Sequence, residues 1–206
     1  MIILDNNLNG ELIEYKKTDE IKDKTIKQSL WNMAIGLQTV DNLKPSIYLK
    51  ELSKDNIEGK ISIYEIENLL KIYYENKKKN KNDELECDLV STRIVELLND
   101  NSFNFHPTIM LGIHEYLFKD IYSFAGKYRA YNITKEEPIL NGNTVNYASY
   151  DMIEKTLNYD FNSEKEFNYA NISMEDKIKH ISLFTSSIWQ VHPFGEGNGC
   201  TEIFAC

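Results

Sequence analysis

His192-Pro193-Phe194-Gly195-Glu196-Gly197-Asn198-Gly199 is the stretch on which the reading of this chain turns. Before it, Ile178, Ile181, Phe184, Ile188 and Trp189 recur at helical spacing behind a Ser173/Asp176 capping pair. That pattern predicts a long helix ending near Val191. Pro193 disfavours helical backbone in the residue before it, which puts His192 in a helix-ending turn. An imidazole in such a turn can be partly exposed and can titrate near neutrality, as a general base requires. Gly197-Asn198-Gly199 tolerates left-handed backbone, so successive N–H groups can turn inward as an anion-binding nest ahead of a following helix. Glu196 stands one residue before the nest, placed to hold a Mg²⁺ that bridges phosphates. A base, a metal carboxylate and a phosphate cradle in one short string point to nucleotidyl or phosphoryl transfer. The three glycines also match a dinucleotide-binding fingerprint weakly, and that reading needs a strand before His192.

Working upstream, a helix is expected at about Ser149–Phe161. The segment Arg129 to Tyr147 changes period, and Asn141-Gly142 between short β-prone runs predicts a hairpin. Another helix begins near Pro107, with Ile109, Ile113, Leu117, Phe118 and Ile121 as its stripe, and ends at Ala125-Gly126. One more is expected from Leu85 to Leu98. The polar run Lys77 to Asp83 reads as a solvated linker. Before it, three helices are expected within 24–76. The first spans about Thr25–Val40, with Leu30, Met33, Ala34, Leu37 and Val40 facing inward. The second is capped by Ser46. The third opens on the Ser62-Ile63-Tyr64-Glu65 box, with Ile66, Leu69, Leu70 and Tyr73 inward. Residues 1–23 read as a polar lead-in. The expected division is therefore 1–23, a helical unit at 24–76, a linker at 77–83 and a second domain at 84–206.

The string His192 to Gly199 resembles the signature of the Fic/Doc (Fido) family, H-P-F-x-[D/E]-G-N-G-R. Upstream, Ile113-His114-Glu115-Tyr116-Leu117-Phe118 and Ile121 to Arg129 resemble that family's helix and the turn before its flap. The resemblance implies a mainly α fold: a helical core with a β-hairpin flap, plus the small three-helix N-terminal unit. It implies transfer of AMP from ATP to a hydroxyl side chain of a target protein. His192 would be the base, Glu196 the Mg²⁺ ligand, and Gly197, Asn198 and Gly199 the phosphate cradle. Phe194 would anchor the loop in the core. The flap at Ile133 to Tyr147, including Ile133, Thr134, Asn141, Gly142, Asn143 and Thr144, would dock the target by strand addition.

Two departures matter. Cys200 stands where the family has Arg, and Ile203 where many members have a second Arg. A neutral thiol does not replace a planar bidentate cation on phosphate. The chain also ends at Cys206, soon after the motif, so the domain is expected to be incomplete and AMP transfer impaired. Residues 24–76 resemble the three-helix antitoxin found with some Fic toxins. Matching places Leu37, Asp41 and Asn42 at its [S/T]-x-x-x-E-[G/N] positions, which makes Asp41 and Asn42 the candidate inhibitory pair. The alternative to an enzyme is a catalytically inactive Fic remnant acting as a binding or regulatory module.

Composition bounds the rest. With 32 acidic against 23 basic residues and a formal charge of -9, a nucleic-acid partner is not expected. No stretch approaches the ~20 apolar residues of a membrane span. Three cysteines without C-x-x-C spacing, and no signal-peptide pattern, suggest a cytoplasmic protein. Arg93 and Arg129 are the only arginines. Arg129 is expected in a structural ion pair, His106 and His114 in structural roles, and His180 mid-helix as a core or surface residue.

Overall fold

The structure is a computed structural model describing residues 20–76, 82–99, 105–134, 141 and 145–205. Polar caps start its helices where the sequence supplies short oxygen-bearing side chains. Asp23 accepts from the N–H groups of Thr25 and Ile26 and opens α1 (Lys24–Val40). Ser46 accepts from Leu49 N–H at the head of α2 (Ile47–Ile57). Ser62 and Glu65 close the expected box before α3 (Ile63–Asn76): the Ser62 N–H and hydroxyl both donate to Glu65 Oε2. Then follow α4 (Asn82–Asn99), α5 (Thr108–Phe118), a 3₁₀ turn (Tyr150–Met152), α6 (Ile153–Glu166), α7 (Met174–Val191) and α8 (Asn198–Ala205). The Ser173/Asp176 pair caps α7 as expected, with Ser173 Oγ accepting from Asp176 N–H at 3.1 Å.

The fold centres on α4, which is buried on every side from Cys87 to Val95. Its polar residues are there to be partnered. Asp88 accepts from Ser46 N–H at 2.9 Å, Ser46 Oγ at 2.5 Å and Tyr74 Oη at 2.7 Å, tying α2 and α3 to α4. Arg93, fully buried, donates to Glu67 Oε1 and to the carbonyls of Leu117 and Lys119 at the end of α5. One core runs from Trp31, Leu49 and Ile66 through Val90 and Ile94 to Leu117 and Cys200, so the first three helices share it with α4, α5 and α8. A second core gathers Met110, Leu157, Phe161, Phe184, Ile188 and Phe194.

Two helices bury a face rotated from the expected one. On α1, Met33 and Val40 are exposed, while Lys27, Trp31, Ala34 and Gln38 are buried. Partners make this possible: Lys27 Nζ meets Glu20 at 2.6 Å and the Asn56 carbonyl at 3.0 Å, and Trp31 Nε1 donates to Asn56 Oδ1. On α7, Ile178, Ile181 and Trp189 face solvent, and Phe184, Ile188 and Val191 point inward.

The expected hairpin is not seen as such. No strand occurs among the described residues. Ile133 and Thr134 are irregular, Asn141 has a left-handed φ of 55°, and Gly142, Asn143 and Thr144 lie outside the described residues. The two stems of this excursion meet at Asn132, whose Oδ1 accepts from Tyr150 N–H at 2.9 Å and Ser149 Oγ at 3.2 Å. The segment before His192 is helix α7, not a strand, which removes the dinucleotide-fingerprint reading. Among the described residues no helix is long and apolar enough to cross a membrane.

Candidate active site

The motif lies where the two cores meet, with Phe194 in one and Cys200 in the other. Helix α7 stops at His192, whose backbone is left-handed at φ 48°, ψ 64°. Pro193 disfavours the right-handed helical well for the residue before it, and the left-handed well ends the helix just as firmly. His192 is half-buried, with the Tyr147 ring 5.0 Å away, so the returning stem of the excursion flanks the imidazole.

Phe194 is fully buried and fixes the loop. The His114 ring stacks on it at 3.9 Å between centroids and 10° between planes. His114 also bridges two loops: its Nδ1 accepts from Gly126 N–H at 2.9 Å, and its Nε2 donates to the Glu196 carbonyl at 3.0 Å. That pair of bonds requires a neutral ring, and burial holds its pKa below the ordinary value. The residue is structural, as expected, but what it holds is the motif loop itself. Asn198 closes the loop from the other side: its Oδ1 accepts from Phe194 N–H and its Nδ2 donates to the Phe194 carbonyl.

Gly197 is left-handed at φ 76°, and a Cβ there would lie 2.4 Å from the Phe118 ring. Both the backbone and the space therefore demand glycine. Helix α8 starts at the next residue, Asn198. The Glu196 carboxylate is exposed, and its Oε1 accepts from Gly197 N–H at 3.1 Å.

A cavity of about 490 Å³ opens beside this loop. Glu196, Gly197 and Cys200 line it, as do Gln38, Asp41 and Asn42 at the end of α1. Asp41 caps α1, and Asn42 turns the chain with φ 61°. Val40, Leu43, Phe118, Glu86 and Tyr122 complete the lining, the last two joined by a 2.6 Å bond from Tyr122 Oη to Glu86 Oε1. Burial raises the pKa of Glu86, and the negative charges of Glu196, Asp83 and Asp41 act in the same direction. Cys200 is buried, and burial pushes its thiol up to about 12, so it is a neutral thiol at physiological pH. The lining contains three carboxylates and neither Lys nor Arg. Among the described residues no cluster of three or more His, Cys, Asp or Glu could hold a metal ion. A Mg²⁺ held by one carboxylate and by substrate phosphates needs no such cluster, and the exposed Glu196 fits that mode.

In sequence these residues fall into a motif and a distant helical unit, and the structure brings Asp41 and Asn42 to the same cavity as Glu196 and Gly197. Tyr147 ends the expected flap, but Gln38, Glu86 and Tyr122 are not picked out by the sequence. Their spacing carries no signal, since each arrives from a different helix or loop. Both arginines lie elsewhere. Arg129 makes no ion pair among the described residues; its partners are carbonyl oxygens.

The model of the Fic/DOC family matches residues 104–206. The probable protein adenylyltransferase y4lH of Sinorhizobium fredii is 31% identical over 126 residues, which cover 60% of this chain and 61% of that relative. The match thus spans less than two thirds of the relative's length. The family match covers the long helix, the motif loop and the excursion that flanks His192, and the chain belongs to the Fic/DOC family.

Proposed function

We propose that this chain is a Fic-type protein adenylyltransferase, using ATP and Mg²⁺ to place AMP on a hydroxyl side chain of a target protein, and that Cys200 weakens the reaction. The observation that carries this reading is the geometry of one loop. A left-handed His192 ends α7, a left-handed Gly197 immediately precedes α8, and Gly197 and Cys200 border a cavity of about 490 Å³ next to the start of that helix. His192 would take the proton from the attacking hydroxyl. Gly197, Asn198 and Gly199 would present backbone N–H groups to the phosphates. Glu196 would hold Mg²⁺, which when bound supplies positive charge to the phosphates. The target would dock along the excursion that returns at Tyr147. Asp41 and Asn42 border the same cavity from α1, which supports a restraining role for the first helical unit and a toxin–antitoxin kind of pairing within one chain.

Incorporation of label from the α-phosphate of ATP into protein tests this reading. The expected signal is weak, Mg²⁺-dependent and abolished by His192→Ala. Labelling that survives His192→Ala contradicts it.

A lining whose charged residues are all acidic, together with the neutral Cys200, favours one alternative, a catalytically inactive module that binds a target without turnover. Calorimetry separates the two. Mg²⁺-dependent ATP binding in the micromolar range supports the enzyme, and its absence supports the module.

A further inference from the structure

Arg129 is 5% exposed and donates five hydrogen bonds, every one to a backbone carbonyl. Three acceptors are consecutive. Its Nη2 reaches Val191 O at 3.2 Å, its Nε reaches His192 O at 2.8 Å, and its own backbone N–H reaches Pro193 O at 2.8 Å. The other two are Tyr131 O, bound by Nη1 at 2.6 Å, and Ala148 O, bound by Nη2 at 2.5 Å. Tyr131 and Ala148 are the residues at which the excursion leaves and returns.

We propose that Arg129 is the positioning residue for His192, fixing its left-handed backbone and coupling it to both stems of the excursion; this rests on the reading of His192 as the base. The last carbonyls of a helix have no partner within it, and they form the negative end of its dipole. A buried guanidinium satisfies them and is itself stabilised there without a carboxylate. The left-handed well is unfavourable for a non-glycine residue, so His192 stays in it because its surroundings hold it. One planar fork with five donors can serve three chain segments at once. A lysine, with three donors at a single point, cannot span them. Any shift of either stem therefore reaches the His192 peptide through one side chain.

The chain suits a direct test because it holds two arginines and four histidines. In the wild-type chain, NMR should show the Arg129 Nε–H as a slowly exchanging signal, with coupling through the hydrogen bond to the His192 carbonyl carbon. In Arg129→Lys, the His192 ring signals should move or broaden by exchange while those of His106 and His180 stay in place. Ile66→Val, a mild truncation of the α3 core, should leave all of them unmoved. A fast-exchanging Arg129 Nε–H in the wild type, or unchanged His192 signals in a folded Arg129→Lys, overturns the proposal. Neither readout needs nucleotide transfer, so a chain that labels nothing still tests it.

Discussion

The side-chain amide of Gln38 donates a 3.2 Å hydrogen bond to the Sγ of Cys200, joining residues 162 apart in sequence, both of them buried. The contact pins the last turn of α1 to the first turn of α8. It makes the N-terminal helix part of the wall of the motif cavity.

The shared core gives the first prediction. Asp88 is fully buried and accepts three hydrogen bonds that hold α2 and α3 on α4. Asp88→Ala leaves the Ser46 and Tyr74 donors without their partner. The expected loss is about 3 kcal/mol or more, from the penalty for unsatisfied buried polar groups. Urea unfolding measures it. A change within about 0.5 kcal/mol, the range of ordinary surface substitutions, would show that the helices are held by something else.

His114 gives a pH dependence. Its folded pKa is depressed below 6.5 by burial, while the unfolded imidazole titrates near 6.5. Its stabilising contribution is therefore present above pH 6.5. It is lost as pH falls through the depressed folded value, because the unfolded chain takes up the proton first. His114→Phe keeps a ring against Phe194 and removes the titration. Thermal melts between pH 7 and pH 5 should slope less in the variant than in the wild type. Parallel slopes would remove His114 from the account.

Glu202 works in the opposite sense. It is 4% exposed, its Oε1 has no hydrogen-bond partner among the described residues, and burial pushes its pKa up to about 8 from the usual 4.5. A raised folded pKa means stability is full below pH 4.5 and is lost as pH rises through 8. Glu202→Gln should stabilise the chain at pH 8.5 by on the order of 2–5 kcal/mol, and by far less at pH 5. Melting curves at the two pH values decide it, and an equal effect at both would count against a buried, protonated carboxyl.

Much of this was legible in the sequence, for reasons tied to particular residues. Ser46, Ser62-Glu65 and Ser173-Asp176 mark helix starts because capping is a local transaction between neighbours. The motif was legible because its residues are contiguous. The buried faces of α1 and α7 were not. Periodicity reports that a helix is amphipathic, but a buried Lys27 or Gln38 is settled by Glu20, Asn56 or Cys200 arriving from elsewhere. The same holds for Arg129. Its type suggested an ion pair, and its place at the end of α7 made carbonyls its partners.

The central claim is that a Fic-type transfer site is present here and is limited by residue 200. The most direct measurement is Mg²⁺-dependent incorporation of α-phosphate label from ATP by Cys200→Arg beside the wild type. The cavity beside Cys200 leaves room for the longer side chain, and Asp41, Glu86 and Glu196 already line it. A restored cation on the phosphates should raise the rate by about 10²-fold, the usual loss when one such donor is removed. His192→Ala in the same background should return it to zero. A Cys200→Arg chain that folds and labels no faster than the wild type, or that labels equally well without His192, contradicts the account.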